Sequence, residues 1–134
     1  MPRWFEGVHL NFAENMLFSS DLSSTQTDVR TTRDKEDGKV AITEVREGAS
    51  ETREVTFGEL RALVGRLAAA MKERGVRKGD RVVVVAANSV ETLAVWLASA
   101  WLGAVFSSSS TDMGVKGILQ RAVQVNPKVS FLFS

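Results

Sequence analysis

Arg81-Val82-Val83-Val84-Val85-Ala86-Ala87-Asn88-Ser89 runs into Val90-Glu91-Thr92-Leu93-Ala94-Val95-Trp96-Leu97-Ala98-Ser99-Ala100-Trp101-Leu102, and then into Gly103-Ala104-Val105-Phe106-Ser107. This stretch decides the fold class. Residues 82–85 are apolar without alternation, the pattern of a strand covered on both faces, so a strand over 81–87 belongs inside a parallel sheet. Residues 89–102 are apolar nearly all round, with Trp96 and Trp101 among the bulkiest side chains, and predict a helix whose core residues include both tryptophans. Asn88 and Glu91 stand at capping-box spacing at its start, and Gly103 closes it. Residues 104–107 then read as a second short strand.

Downstream, residues 107–112 form a hydroxyl-rich polar turn. Val115, Ile118, Leu119, Ala122 and Val123 follow as the apolar stripe of another helix, with Lys116, Gln120, Arg121 and Gln124 opposite. Asn126-Pro127 stops it, and residues 129–133 read as a last strand. Strand, helix, strand, helix, strand implies right-handed crossovers and a parallel sheet, so the fold class is α/β. Such a sheet is covered by helices on both faces, yet the sequence supplies only three helices for about five strands. The expectation is an incomplete, mainly parallel sheet with flanking helices, ending on a bare edge.

Upstream, Lys78-Gly79-Asp80 makes a tight turn into the valine strand, and Gly75 is placed to end a preceding helix in the left-handed region. That helix starts at Thr56, which with Glu59 has capping-box spacing. Phe57, Leu60, Leu63, Val64, Leu67, Ala68 and Met71 form its apolar stripe, opposed by Glu59, Arg61, Arg66, Lys72 and Glu73. Residues 40–45, with Val40, Ile42 and Val45 apolar, and residues 54–56 predict an antiparallel hairpin turned by Gly48-Ala49-Ser50. Residues 19–38 are dominated by polar side chains and read as a solvated surface loop. The chain thus divides into an opening segment over 1–18, the loop over 19–38 and a partial α/β domain over 39–134.

Composition narrows the function classes. Seventeen basic and sixteen acidic residues leave a charge of +1 with no long block of either sign, which gives no footprint for nucleic acid or an anionic membrane. The absence of cysteine excludes a disulfide framework, a thiolate metal site and a cysteine nucleophile. The apolar stretch around residues 92–105 is broken by Ser99 and Gly103 and is shorter than the roughly 20 residues that cross a bilayer. The first residues show no secretory pattern, so a cytoplasmic location is expected.

Several segments resemble one family. Trp4-Phe5-Glu6-Gly7 and Leu10-Asn11-Phe12-Ala13-Glu14-Asn15 are similar to the opening WF-x-G-x-x-LNYAEN segment of acetoacetyl-CoA synthetases, a branch of the adenylate-forming acyl-CoA synthetases. Val55-Thr56-Phe57-Gly58-Glu59-Leu60 resembles their V-T-F-x-E-L helix start, and Gly75-Val76-Arg77-Lys78-Gly79-Asp80-Arg81-Val82 their G-V-x-x-G-D-R-V turn. Residues 87–89 resemble the family's P-N-S, with Ala87 in place of proline, and residues 102–110 its G-A-(I/V)-(W/F)-S-S-x-S run; Thr111-Asp112 departs from the usual Ser/Thr-Pro-Asp.

The resemblance implies part of the large N-terminal domain of a ligase that converts acetoacetate with ATP and Mg²⁺ to an acyl-adenylate, then transfers the acyl group to coenzyme A. The phosphate loop, the nucleotide motifs and the catalytic lysine of the family are not matched by any motif here, so the chain is expected to be a fragment, truncated at both ends, without activity, bound cofactor or catalytic residue of its own. Gly114-Val115-Lys116-Gly117 lacks the spacing of a phosphate loop. Asn88 follows a strand's carboxyl end, where ligands of open α/β sheets bind, but a helix cap is the reading its position favours. Ser108, Ser109 and Ser110 also follow a strand; the resemblance puts them on the acyl and CoA side, and a plain polar turn accounts for them as well. His9, the single histidine, has no partner tied to it by sequence and reads as a packing or surface residue. The open edge at 129–133 makes self-association of the fragment the expectation; the alternatives are a freestanding interaction module that pairs that edge with another chain, and a small Rossmann-type domain, which lacks its glycine fingerprint.

Overall fold

A computed structural model of the chain describes residues 6–20, 29–46, 48 and 51–133. Trp4-Phe5 and most of the Gly48-Ala49-Ser50 turn lie outside the described residues. The elements are α1 (Phe12–Leu17), β1 (Ser19–Ser20), β2 (Arg30–Thr31), β3 (Val40–Val45), β4 (Thr52–Thr56), α2 (Phe57–Glu73), β5 (Arg81–Val85), α3 (Val90–Trp101), β6 (Val105–Ser109), a 3-10 turn (Thr111–Met113), α4 (Gly114–Val125) and β7 (Val129–Leu132). β5 lies at the centre of a parallel sheet ordered β6-β5-β7, while β3 and β4 pair antiparallel in a hairpin of their own. The fold is α/β, as the unbroken valine run requires.

Alternation along β5 divides the sheet into two faces. Val82 and Val84 join the main core with Leu60, Val64 and Met71 of α2 and Ala94, Val95 and Leu97 of α3. Val83 and Val85 are also buried but lie outside that cluster, on the face where α4 packs against β5.

The predicted capping box of α2 is formed: the Glu59 amide donates to Thr56 Oγ1 at 3.2 Å and the Thr56 amide to Glu59 Oε2 at 2.8 Å. Gly75, at φ 81°, ends the helix in the left-handed region. Asn126 does the same for α4 at φ 47°, one residue before Pro127.

Several expectations need correction. The cap of α3 is Ser89, whose hydroxyl accepts from the Thr92 amide at 3.2 Å, and Asn88 is left exposed. Ser107, Ser108 and Ser109 belong to β6 and not to a turn, because they continue the ladder with Val83, Val84 and Val85. Residues 19–38 hold the paired strands β1 and β2. Val40 and Val45 are exposed, and only Ala41 and Ile42 of β3 reach the core, since the register shifts between Val40 and Ile42.

Trp96 and Trp101 are partly covered rather than fully buried, and what covers them is the opening segment. Phe12 of α1 meets Trp96 at 5.1 Å between ring centroids, and Phe18 meets Trp101 at 6.1 Å. Ala13 and Leu17 of α1 are buried in the same core. Arg61, expected on the solvent face of α2, instead donates to the carbonyls of Leu17 and Lys35 and to Asp37, with its guanidinium over the rings of Phe18 and Phe57. No helix among the described residues is long and apolar enough to cross a membrane.

Candidate functional site

The carboxyl ends of the parallel strands gather the residues singled out by sequence. In the sheet register Val84 pairs with Ser108 and Phe131, and Val85 pairs with Ser109 and Leu132. Beyond that row the Ala86 amide donates to the Ser109 carbonyl at 3.3 Å and the Phe133 amide to the Val85 carbonyl at 3.1 Å. Residues 86–89, 109–110 and 132–133 therefore emerge from one end of the sheet. The chain runs from the central strand β5 through α3 to β6 and then from β6 back through α4 to β7, so successive connections run in opposite directions across the sheet, the arrangement that opens a crevice at strand carboxyl ends in doubly wound sheets.

The three serines do not share one environment. Successive strand residues point to opposite faces, so Ser108 stands on the face of Val84 and Ser109 on that of Val85. Ser108 is exposed. Ser109 is 6% exposed, and its hydroxyl has no hydrogen-bond partner among the described residues. Ser110 caps the 3-10 turn, accepting from the Asp112 amide at 3.3 Å and donating to Asp112 Oδ2 at 3.2 Å. Asn88 lies exposed in the loop leading from β5 to Ser89.

That loop is held by residues to which no motif pointed. Glu44 of β3 accepts from the Val90 amide at 3.0 Å, at the first turn of α3, where unpaired amides favour a carboxylate. Arg53 of β4 donates to Glu91 at 2.8 Å and stands 3.9 Å from Glu44. The Arg53 guanidinium holds the Glu91 carboxyl below the usual carboxylate range, and the same bond raises Arg53 itself. Alternation along β3 was the available signal for Glu44, but the partner is 46 positions away.

Mg²⁺ does not fit these residues: no group of three or more His, Cys, Asp or Glu side chains that could hold a metal occurs among the described residues. A phosphate-binding role for Gly114 and Gly117 is also poorly matched, because a Cβ at Gly117 would stand 2.8 Å from Met113 Cγ, which makes packing the reason for that glycine. A polar cavity of about 250 Å³ opens elsewhere, between the opening segment and β2, lined by His9, Asn11, Glu14, Ser19 and Arg30 among others, with Glu14 and Arg30 paired to one another.

The family model described as AMP-binding enzyme matches residues 29–132, which takes in the β3-β4 hairpin, the β6-β5-β7 sheet with its strand ends and the loop of Asn88. The chain belongs to the AMP-binding enzyme family. Among relatives of this AMP-binding enzyme chain, an acetoacetyl-CoA synthetase of Rattus norvegicus is 44% identical over 131 residues, 98% of this chain and 17% of that protein. A malonamoyl-CoA synthetase of Penicillium aethiopicum is 35% identical over 97% of this chain and 16% of its own length. The solved acetoacetyl-CoA synthetase from Streptomyces lividans superposes with a TM-score of 0.80 at 34% identity, covering 98% of this chain and 19% of that one. The chain thus spans about a sixth of the curated AMP-binding relatives it matches.

Proposed function

We propose that this chain forms part of an acid–CoA ligase that activates acetoacetate with ATP and transfers it to coenzyme A, and that it supplies one wall of the acyl and CoA side rather than the nucleotide site. Asn88, Ser108, Ser109 and Ser110 are the residues assigned to that wall. The observation that carries the assignment is the buried, unpartnered hydroxyl of Ser109 at the carboxyl end of β6. A hydroxyl left without a partner in such a place costs about 1–3 kcal/mol, so a polar partner from outside the described residues, a water or a ligand, would stabilise it. A bound acyl or pantetheine group is the partner this reading supplies. Identity with acetoacetyl-CoA synthetases over nearly the whole chain favours acetoacetate as the acid.

The chain's own residues bind and orient in this scheme. Ser109 would donate to a ligand oxygen, Asn88 offers both an acceptor and donors, and Glu44 keeps the loop in place through the Val90 amide. ATP, when bound by a complete enzyme, supplies the leaving pyrophosphate. No residue described here is assigned to phosphate or metal.

The test is a chimera in which this segment replaces its counterpart in the Streptomyces lividans enzyme. Acetoacetate should drive AMP formation with ATP, Mg²⁺ and coenzyme A, and Ser109→Ala should raise KM for acetoacetate or coenzyme A more than it lowers kcat. The isolated chain should release no pyrophosphate above a heat-killed control. A folded chimera silent with acetoacetate, or one indifferent to Ser109→Ala, would overturn the reading.

A further inference from the structure

Asn88 stands between two neighbours that are fastened to one residue of α3. The Thr92 amide donates to Ser89 Oγ at 3.2 Å, Ser89 Oγ lies 3.2 Å from Thr92 Oγ1, and the Thr92 hydroxyl donates to the Ala87 carbonyl at 2.9 Å. With the Thr92 proton committed to Ala87, the Ser89 hydroxyl is the donor of the middle bond, so each hydroxyl gives one bond and accepts one. Capping the helix needs only the first of these bonds. The other two tie the carbonyl before Asn88 and the side chain after it to Thr92, which is half-buried. Farther out, the Ala86 amide is held by the Ser109 carbonyl at 3.3 Å and the Val90 amide by Glu44 at 3.0 Å. Between residues 86 and 90, Asn88 alone makes no hydrogen bond to a described residue, and it is exposed.

We infer that Thr92 is a positioning residue for substrate binding: its hydroxyl fixes the backbone on both sides of Asn88, so that the Asn88 carboxamide is presented to the acyl and CoA wall in one place. The inference rests on the assignment of Asn88 to that wall. Its physical content is preorganisation. A loop already ordered before the ligand arrives does not pay its ordering entropy on binding, and a side chain carried by a fixed backbone has only its own rotamer left to choose. Thr92 touches no ligand in this scheme; it acts through Ala87 and Ser89, and the carboxamide between them supplies the acceptor and the donors.

Thr92→Val removes the hydroxyl while keeping the branched shape and the capping amide, and Thr92→Ser keeps the hydroxyl. In the chimera with the Streptomyces lividans enzyme, Thr92→Val should raise several-fold the same KM, for acetoacetate or coenzyme A, that Asn88→Ala raises, with a smaller change in kcat, and Thr92→Ser should restore it. In an Asn88→Ala background Thr92→Val should add nothing further to KM, although it lowers the melting temperature equally in both backgrounds. A residue that only stabilised α3 would change melting without that dependence on Asn88. A second measurement needs no active enzyme: in the isolated chain the backbone order parameters of residues 87–89 should fall in Thr92→Val and recover in Thr92→Ser. Unchanged order parameters, a KM indifferent to Asn88→Ala, or a Thr92→Val effect that persists in full without Asn88 would each overturn the inference. A KM that responds to Ser109→Ala and Asn88→Ala but not to Thr92→Val would overturn it while leaving the wall assignment intact. A chimera silent with acetoacetate would instead reject the functional reading, and the order parameters would still decide whether Thr92 holds the loop.

Discussion

Asn11 Nδ2 donates to the carbonyl of Trp101, 90 positions away, at 3.0 Å, while Asn11 Oδ1 accepts from the Glu14 amide at 3.1 Å. One side chain thereby starts α1 and satisfies a carbonyl in the last turn of α3. Asn11→Ala removes both bonds and should cost about 1–3 kcal/mol, the sum of a lost cap and an unpaired carbonyl. Asn11→Asp keeps the cap but loses the donor, so it should fall between wild type and alanine. Denaturant midpoints at constant slope measure the three; equal stability of Asp and wild type would remove the link to Trp101.

Thr56 and Glu59 cap α2 reciprocally. Thr56→Ala should lower stability by about 0.5–2 kcal/mol, because the first-turn amide loses its acceptor. Thermal unfolding that is unchanged would refute the role of the cap.

The same pair predicts a pH dependence. The Thr56 amide, first, and its hydroxyl hold the Glu59 carboxyl below its ordinary value. A group whose folded-state pKa is depressed stabilises the fold above its unfolded value, near 4.3, and that contribution is lost as pH falls through the lower folded value. Glu91, held down by Arg53, adds to the same trend. Glu59→Gln should flatten the fall in melting temperature below about pH 4.3 while leaving neutral-pH melting less affected than Thr56→Ala does. A steeper acid slope in Glu59→Gln would reverse the sign argued here.

Arg61 ties three segments with bonds of 2.7 Å to the Leu17 carbonyl, 2.8 Å to the Lys35 carbonyl and 2.6 Å to Asp37. Its side chain is 11% exposed. Arg61→Met should cost about 1.5–3 kcal/mol, since the acceptors lose a charged donor. Arg61→Lys should recover less than half, because one ammonium cannot span the acceptors and stack on Phe18 and Phe57 as a planar guanidinium does. Proteolysis before residue 39 should accelerate in both variants, and a lysine variant as stable as wild type would show that charge alone suffices.

Uncovered apolar surface should make the isolated chain associate as its concentration rises. The outer edge of β7, with Val129, Phe131 and Leu132 and no charge or proline, is a template for pairing. Sedimentation velocity should show heavier species at high concentration, reduced by Leu132→Lys. A monodisperse monomer at every concentration would contradict this.

Local sequence determined much of the secondary structure. The valine run declared a buried parallel strand, the Thr56 and Glu59 spacing declared a helix start, and Gly75 and Asn126 declared helix ends, because each of these preferences acts within a few residues of backbone. The family was also legible, since its motifs are contiguous. Tertiary structure decided the rest. Which of Asn88 and Ser89 caps α3 depends on where β5 stops pairing, and whether residues 107–109 are turn or strand depends on the ladder that Val83, Val84 and Val85 offer across the sheet. Arg61 and Glu44 look like ordinary exposed charges along the chain; their partners are brought to them from 44 and 46 positions away. The orphaned hydroxyl of Ser109 is likewise a property of burial, which no spacing of residues encodes and only the packing of β6 beside β5 creates.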